Sequence, residues 1–167
     1  LEQEVVGLTK FCVHPEIWWQ TKTRVGGTKK LNFTSIAELQ PTLIIANKEE
    51  NVKEQIEELA KYYPVCLTDV NNLQEALQMI EDIGVLTKTQ KKANYLTQKI
   101  KNNFEQLAIT KSSLNTCYLI WQNPFMTVGG DTFINDMLQR SCFNNLFANE
   151  KRYPEISISQ LLIANCQ

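Results

Sequence analysis

Histidine occurs once in this chain of 167 residues, at His14, and its five cysteines, Cys12, Cys66, Cys117, Cys142 and Cys166, contain no C-x-x-C pair. A closed zinc site and a dense disulfide framework both need more ligands or closer spacing than this. Cys66 and Cys117 lie in apolar runs and are expected to be buried thiols acting as small hydrophobes. An excess of either charge is also lacking: 17 Lys and Arg face 18 Asp and Glu, and no basic run is longer than Lys29-Lys30 or Lys91-Lys92. The electrostatic footprint of a nucleic-acid-binding surface is therefore missing. No apolar stretch approaches the ~20 residues that cross a bilayer. The acidic start Leu1-Glu2-Gln3-Glu4 is unlike a secretion signal. The turns Val25-Gly26-Gly27-Thr28, Ile83-Gly84 and Val128-Gly129-Gly130-Asp131-Thr132 match neither a dinucleotide fingerprint nor a P-loop. At the last of them Asp131 is expected to cap a helix. No nucleophile is accompanied by a base, and Glu49-Glu50 and Glu57-Glu58 read as solvated helix charge. No catalytic residue is assigned, and no enzyme is expected.

What is present is 43% hydrophobic content, enough for one compact core or two small lobes. Val5-Val6-Gly7-Leu8 reads as a strand that empties into a loop over residues 9–27, long enough to suspect a functional role. Phe33, Ile36, Ala37 and Leu39 follow at helical spacing, then a break at Pro41 and the strand Leu43-Ile44-Ile45-Ala46. Val52, Ile56, Leu59 and Tyr63 mark a second helix, stopped by Pro64 before the strand Val65-Cys66-Leu67. Asn72 with Glu75 resembles a capping box, opening a helix through Leu73, Ala76, Leu77, Ile80 and Ile83 that Gly84 is expected to end. Residues 88–110 predict one long helix, with Ala93, Leu96, Ile100, Phe104 and Leu107 on a stripe; at ~1.5 Å per residue it is roughly 35 Å long. A strand at 116–121, a loop at 122–130, a helix at about 132–140 and a short helix at 158–164 complete the pattern. Helices alternating with apolar strands imply an α/β fold with a parallel sheet covered on both faces. The expected division is an N-terminal lobe at 1–87, a helix at 88–110 joining the lobes, and an incomplete C-terminal lobe at 111–167.

Aromatics gather where a ligand would be met. Phe11, Trp18 and Trp19 lie in the first long loop, while Trp121, Phe125 and Tyr153 lie in loops of the second lobe. Ligands of open α/β sheets bind beyond the carboxyl ends of the strands, and Phe11 and Trp121 follow their strands directly. Trp18, Trp19 and Trp121 sit in polar, Pro-containing loops and are expected to line a pocket, whereas Phe104, Phe133 and Phe147 read as core.

Several of these segments, in order, look like one family. They are Val5-Val6-Gly7-Leu8-Thr9-Lys10-Phe11 leading to His14-Pro15, Val25-Gly26-Gly27-Thr28 with Asn32, and Leu39-Gln40-Pro41-Thr42-Leu43-Ile44-Ile45-Ala46. Leu119-Ile120-Trp121, Pro124-Phe125-Met126, Val128-Gly129-Gly130-Asp131-Thr132-Phe133-Ile134 and Tyr153-Pro154-Glu155-Ile156-Ser157 continue the series. The set resembles the periplasmic solute-binding proteins of bacterial ABC importers that have a helical backbone between two lobes, the receptors for cobalamin, haem and ferric siderophores. That resemblance implies two α/β lobes of mostly parallel sheet, little motion on binding, and a metal-chelate ligand held in the cleft, with no catalytic cofactor. It implies ligand contacts from Lys10, Phe11 and His14 in the first lobe and from Trp121, Pro124, Phe125, Gly130 and Asp131 in the second; Trp18 and Tyr153, from the aromatic loops, complete the candidate set. His14 is additionally a candidate axial ligand to a chelated metal. Family members begin with an earlier strand and helix and continue past Gln167, so a chain truncated at both ends, without its secretion signal, is expected. The implied location is the periplasm, or a lipid anchor outside the cytoplasmic membrane. Cobalamin receptors dock on their permease through a glutamate on each lobe, and the aligned positions here, Thr34 and Ser159, are not acidic, leaving Glu38 or Glu155 as substitutes. The alternative is a non-transport domain, enzymatic, regulatory or oligomeric, reusing the same fold. A chain truncated in this way is expected to pair its exposed sheet edges in a homodimer.

Overall fold

The computed structural model of the chain describes residues 1–107 and 114–163. It divides into two compact units, Leu1–Asp69 and Val70–Gln167.

In the first unit, β1 (Gly7–Leu8) pairs in parallel with β2 (Thr23–Arg24), and the contact is prolonged by Val25 N donating to Leu8 O at 3.0 Å and Lys10 N to Gly26 O at 2.8 Å. Residues 9–27 are thus not a plain loop. They include α1 (Glu16–Thr21), which carries both Trp18 and Trp19, and β3 (Gly26–Gly27), which forms an antiparallel hairpin with β4 (Lys30–Leu31). Gly26 has φ +96, and a side chain there would run into Lys30 O at 2.5 Å, so the tight hairpin demands glycine. Asn32 caps α2 (Phe33–Leu39) by accepting from Ser35 N. The helix stops at Gln40, left-handed at φ 46, because Pro41 cannot extend it. β5 (Ile44–Asn47), α3 (Lys53–Ala60) and β6 (Val65–Thr68) then form the expected parallel unit, in register Ile44↔Val65 through Asn47↔Thr68. The core is Ile36, Ala46, Ile56 and Leu59, flanked by Val25, Leu31, Ile44, Tyr63 and Val65. Each buried isoleucine or leucine contributes about 2 kcal/mol. The expected cover on both sheet faces is not met among the described residues: Ile45 and Leu67 are about half exposed. Cys66, like Cys12, Cys117 and Cys142, is half-buried rather than buried, and Cys166 lies outside the described residues.

The second unit opens with α4 (Leu73–Leu86), capped as expected by Asn72, whose Oδ1 accepts from Glu75 N at 2.9 Å. Glu75 reciprocates to Asn71 N at 2.7 Å. Gly84 does not end this helix; it is buried inside it, where a Cβ would lie 2.4 Å from Ala93 Cβ of α5 (Gln90–Leu107). Its missing side chain lets the two helices touch. The buried positions of α5 are Ala93 and Thr97, not Leu96, because the seam is too close for leucine and Thr97 Oγ1 satisfies itself on Asn94 O at 3.1 Å. Residues 108–110 of the expected helix lie outside the described residues. The unit boundary falls ahead of α4, whereas the periodicity grouped this helix with the first lobe; α4 packs on α5, and Leu73 N donates to Asp136 at 2.7 Å.

The strand expected at 116–121 lies earlier. β7 (Leu114–Thr116) pairs in parallel with β9 (Phe143–Asn145), a strand the pattern did not reveal because two of its three residues are asparagine. Residues 121–126 form a tight hairpin through β8 (Phe125–Met126), which pairs antiparallel with β10 (Glu155–Ile156). Between them runs α6 (Phe133–Arg140), and α7 (Ile158–Ile163) follows. The cap of α6 is Thr132, accepting from Asn135 N at 3.2 Å, and not Asp131. No helix among the described residues is long and apolar enough to cross a membrane.

Candidate ligand-binding site

In the first unit the end of the β1 ladder sets up the candidate residues. Lys10 and Phe11 occupy the two corners of a turn closed by Cys12 N donating to Thr9 O at 3.1 Å. Both side chains lie over Gly27, where a Cβ would meet Lys10 Cε at 3.0 Å and Phe11 Cε2 at 3.5 Å. The Lys10 ammonium stands 5.0 Å from the centroid of the Phe11 ring, and that ring is 64% exposed. His14 follows, exposed, ahead of α1. Trp18 is half-buried on that helix, while its neighbour Trp19 is the more exposed and carries the Arg24 guanidinium at 4.0 Å from its ring. The structure therefore brings Lys10 and Phe11 together.

In the second unit the candidates share one antiparallel ladder. Thr127 N donates to Pro154 O at 3.0 Å, Gly129 N to Arg152 O at 2.7 Å and Gly130 N to Glu150 O at 2.9 Å, so residues 125–130 lie against 150–156. Side chains at Gly129 and Gly130 would collide with Glu150 O at 2.3 Å and Ala148 O at 2.1 Å, which explains the glycine pair. Trp121 and Pro124 project from the hairpin, Trp121 with 63% exposure, while Phe125 is half-buried. Met126 N donates to Trp121 O at 3.2 Å and Ile120 N to Met126 O at 2.9 Å, so the backbone that presents Trp121 is fixed. Asp131 accepts from Arg152 N at 2.5 Å and thereby holds Arg152 in a left-handed conformation, φ 54, immediately before Tyr153. The Arg152 guanidinium lies 5.3 Å from the Tyr153 ring. Asp131 is thus tied to the backbone that positions Tyr153.

Residues absent from the sequence expectations support this ladder from below. Thr127, Thr132, Asn135 and Asn145 are all at most 5% exposed. Thr127 Oγ1 donates to Tyr118 O at 2.9 Å, Thr132 Oγ1 to Gly129 O at 2.9 Å and Asn135 Nδ2 to Gly130 O at 3.0 Å. Asn145 Nδ2 donates both to Val128 O at 3.0 Å and to Asn135 Oδ1 at 2.9 Å. Every carbonyl from 128 to 130 is thereby held by a buried side chain, a fully satisfied network of the kind that fixes one conformation. Gly130, Asp131, Asn71, Asn72 and Arg152 also border an open polar depression of about 420 Å³.

Among the described residues no three His, Cys, Asp or Glu side chains converge on a metal position. Two surface ionisations are displaced. Glu4 is held below the ordinary carboxylate range chiefly by a backbone hydrogen bond, and Lys61 is raised by its hydrogen bond to Glu58. Thr34 and Ser159 are exposed in the first turns of α2 and α7.

The sequence profile of the periplasmic binding protein family matches residues 1–166. A vitamin B12-binding protein of Vibrio parahaemolyticus is 26% identical over 148 residues, covering 83% of this chain and 52% of its own length. Another, from Salmonella paratyphi A, is 22% identical and covers 97% of this chain and 62% of its own length. The chain thus spans between half and two thirds of these curated relatives. The periplasmic vitamin B12 binding protein BtuF of Vibrio cholerae shares the fold at a TM-score of 0.83, with 19% identity, covering 96% of this chain and 65% of that one. The periplasmic heme binding protein HutB of the same species does so at 0.78, with 18% identity, covering 99% and 66%. With the match extending over nearly every residue and the α/β architecture agreeing, the chain belongs to the periplasmic binding protein family.

Proposed function

We propose that the chain supplies much of the substrate-binding component of an ABC importer, one that takes up a large metal chelate, a cobalamin, a haem or a ferric siderophore, on aromatic loops. The observation that carries this reading is the presentation of Phe11 and Trp121, 64% and 63% exposed, on turns whose backbones are hydrogen-bonded in place. Aromatic side chains of this size are normally driven under cover, and rigid exposed ones are suited to stacking on a flat ligand. Vitamin B12-binding relatives and heme-binding structural neighbours support the same ligand class. A binder rather than a catalyst is the fitting role, in the periplasm and served by a permease. His14, exposed beside the Lys10-Phe11 turn, is offered as an axial ligand; His14→Ala then removes a low-spin absorption band.

Stacking that covers about 80 Å² of one ring contributes about 2 kcal/mol, or about thirtyfold in affinity. Titration with cyanocobalamin, haemin and ferric siderophores, read by tryptophan fluorescence, should give saturable quenching with at least one of them. Trp121→Ala and Phe11→Ala should each weaken it by about that factor. Silence with every ligand would refute the reading.

A further inference from the structure

Charge is unevenly placed in the first unit. Residues 7–31 hold Lys10, Lys22, Arg24, Lys29 and Lys30 against one carboxylate, Glu16, in a chain whose formal charge is −1. Among the described residues none of these five cations is ion-paired. Lys22 donates to the carbonyl of Glu2, Arg24 to those of Lys22 and Trp19, and Lys29 to that of Glu49, so their positive charge is hydrogen-bonded but not neutralised. Among the described residues Lys10 and Lys30 lack even a carbonyl, and Lys10 has the Phe11 ring as its fixed neighbour, with the stem of the lysine laid over Gly27. Gly27 leaves room for that stem, and the exposed Lys10 ammonium stands over the exposed Phe11 ring.

A cation standing over an exposed aromatic ring, within a segment short of carboxylates, suits a ligand that has a flat face and acidic groups at its rim. We infer that the ligand is an anionic metal chelate, with Lys10 pairing an acidic oxygen on its periphery while Phe11 stacks on its face. This rests on the receptor reading above and narrows its ligand class. Cyanocobalamin, which has no net charge and bears amides rather than carboxylates at its corrin rim, its one phosphodiester lying in the nucleotide loop, is disfavoured by it relative to carboxylate-bearing tetrapyrroles and catecholate chelates.

The test pairs ligands that differ in charge. Haemin is compared with haemin dimethyl ester, a ferric tris-catecholate with a ferric trihydroxamate, and cyanocobalamin is run beside them. Each is titrated by tryptophan quenching into the unaltered protein, Lys10→Gln and Lys10→Arg. The expected result is about a fivefold preference for the anionic member of the pair that binds, an exposed ion pair being worth that much at low salt. The preference should shrink once the screening length falls below about 10 Å, vanish in Lys10→Gln and persist in Lys10→Arg. Equal affinities, a preference indifferent to salt or surviving Lys10→Gln, or binding of cyanocobalamin alone overturns the inference and leaves the receptor reading standing. No saturable binding by any of the five overturns both.

Discussion

Asn145 offers the most direct test of how the second unit holds its candidate residues. It is 4% exposed, its amide nitrogen donates to Val128 O at 3.0 Å and to Asn135 Oδ1 at 2.9 Å, and its oxygen accepts from Phe147 N at 3.1 Å. Asn145→Ala leaves three groups without partners, each worth about 1–3 kcal/mol when buried and unsatisfied. A water admitted to the vacated space restores part of that, so the net loss is about 3 kcal/mol. Asn145→Asp should cost at least as much, since it keeps the acceptor for Phe147 N and turns an oxygen toward Val128 O and Asn135 Oδ1. In urea unfolding followed by circular dichroism, a slope of about 2 kcal/mol per molar converts the loss into a midpoint lowered by about 1.5 M. The amides of Gly129 and Gly130, bonded to Arg152 O and Glu150 O at 2.7 and 2.9 Å, should lose hydrogen-exchange protection at the same time. A midpoint shift below about 0.3 M, or unchanged protection at both glycines, would refute the claim that this network fixes the ladder.

Gly130→Ala, which places a methyl 2.1 Å from Ala148 O, should cost about 2 kcal/mol and lower the melting temperature by several degrees. Gly84→Ala should destabilise despite the better helix propensity of alanine, because its methyl lies 2.4 Å from Ala93 Cβ. Ala93→Gly in the same chain should recover more than half of that loss, a non-additivity that thermal or urea unfolding of the double-mutant cycle measures. Phe11→Ala and Trp121→Ala remove side chains that are mostly exposed, so each should change unfolding free energy by no more than about 0.5 kcal/mol while weakening ligand quenching. A large stability loss in either would mean that the ring is structural and not presented to a ligand.

Much of the architecture could be read from periodicity because the core is built on it. Ile36, Ile56 and Leu59 recur at helical spacing and are buried, and Asn72 announces its helix because an asparagine oxygen is well placed to receive a first-turn amide. Where the pattern misled, a contact distant in sequence was responsible. Gly84 looks like a stop signal until Ala93 is packed against it, and Leu96 looks like the inward residue until the closeness of that seam admits only Ala93 and Thr97. β9, Phe143–Asn145, carries too little apolar character to be recognised, yet its Asn145 is indispensable to the network described above.

The candidate site divides along the same line, between what a side chain does alone and what it does with a remote partner. Trp121 and Phe11 stood out because a large apolar ring in a polar turn is unusual by itself, and the structure places both on exposed turns. Asp131 could not be placed by that means, since a carboxylate ahead of a helix reads equally as a cap or as a ligand contact. It is neither cap nor bystander: Thr132 is already hydrogen-bonded to Asn135 N and Gly129 O, which leaves the Asp131 carboxylate for the amide of Arg152. With the bond from Gly129 N to Arg152 O, that contact links the glycine turn to the residue before Tyr153, so a change at Asp131 reaches the aromatic ring through backbone geometry. Asp131→Asn preserves an acceptor and should leave ligand quenching nearly intact. Asp131→Ala frees Arg152 from its left-handed conformation and should weaken quenching without any lost contact to the ligand. If the two variants weaken binding equally, the carboxylate charge itself meets the ligand and the positioning role falls.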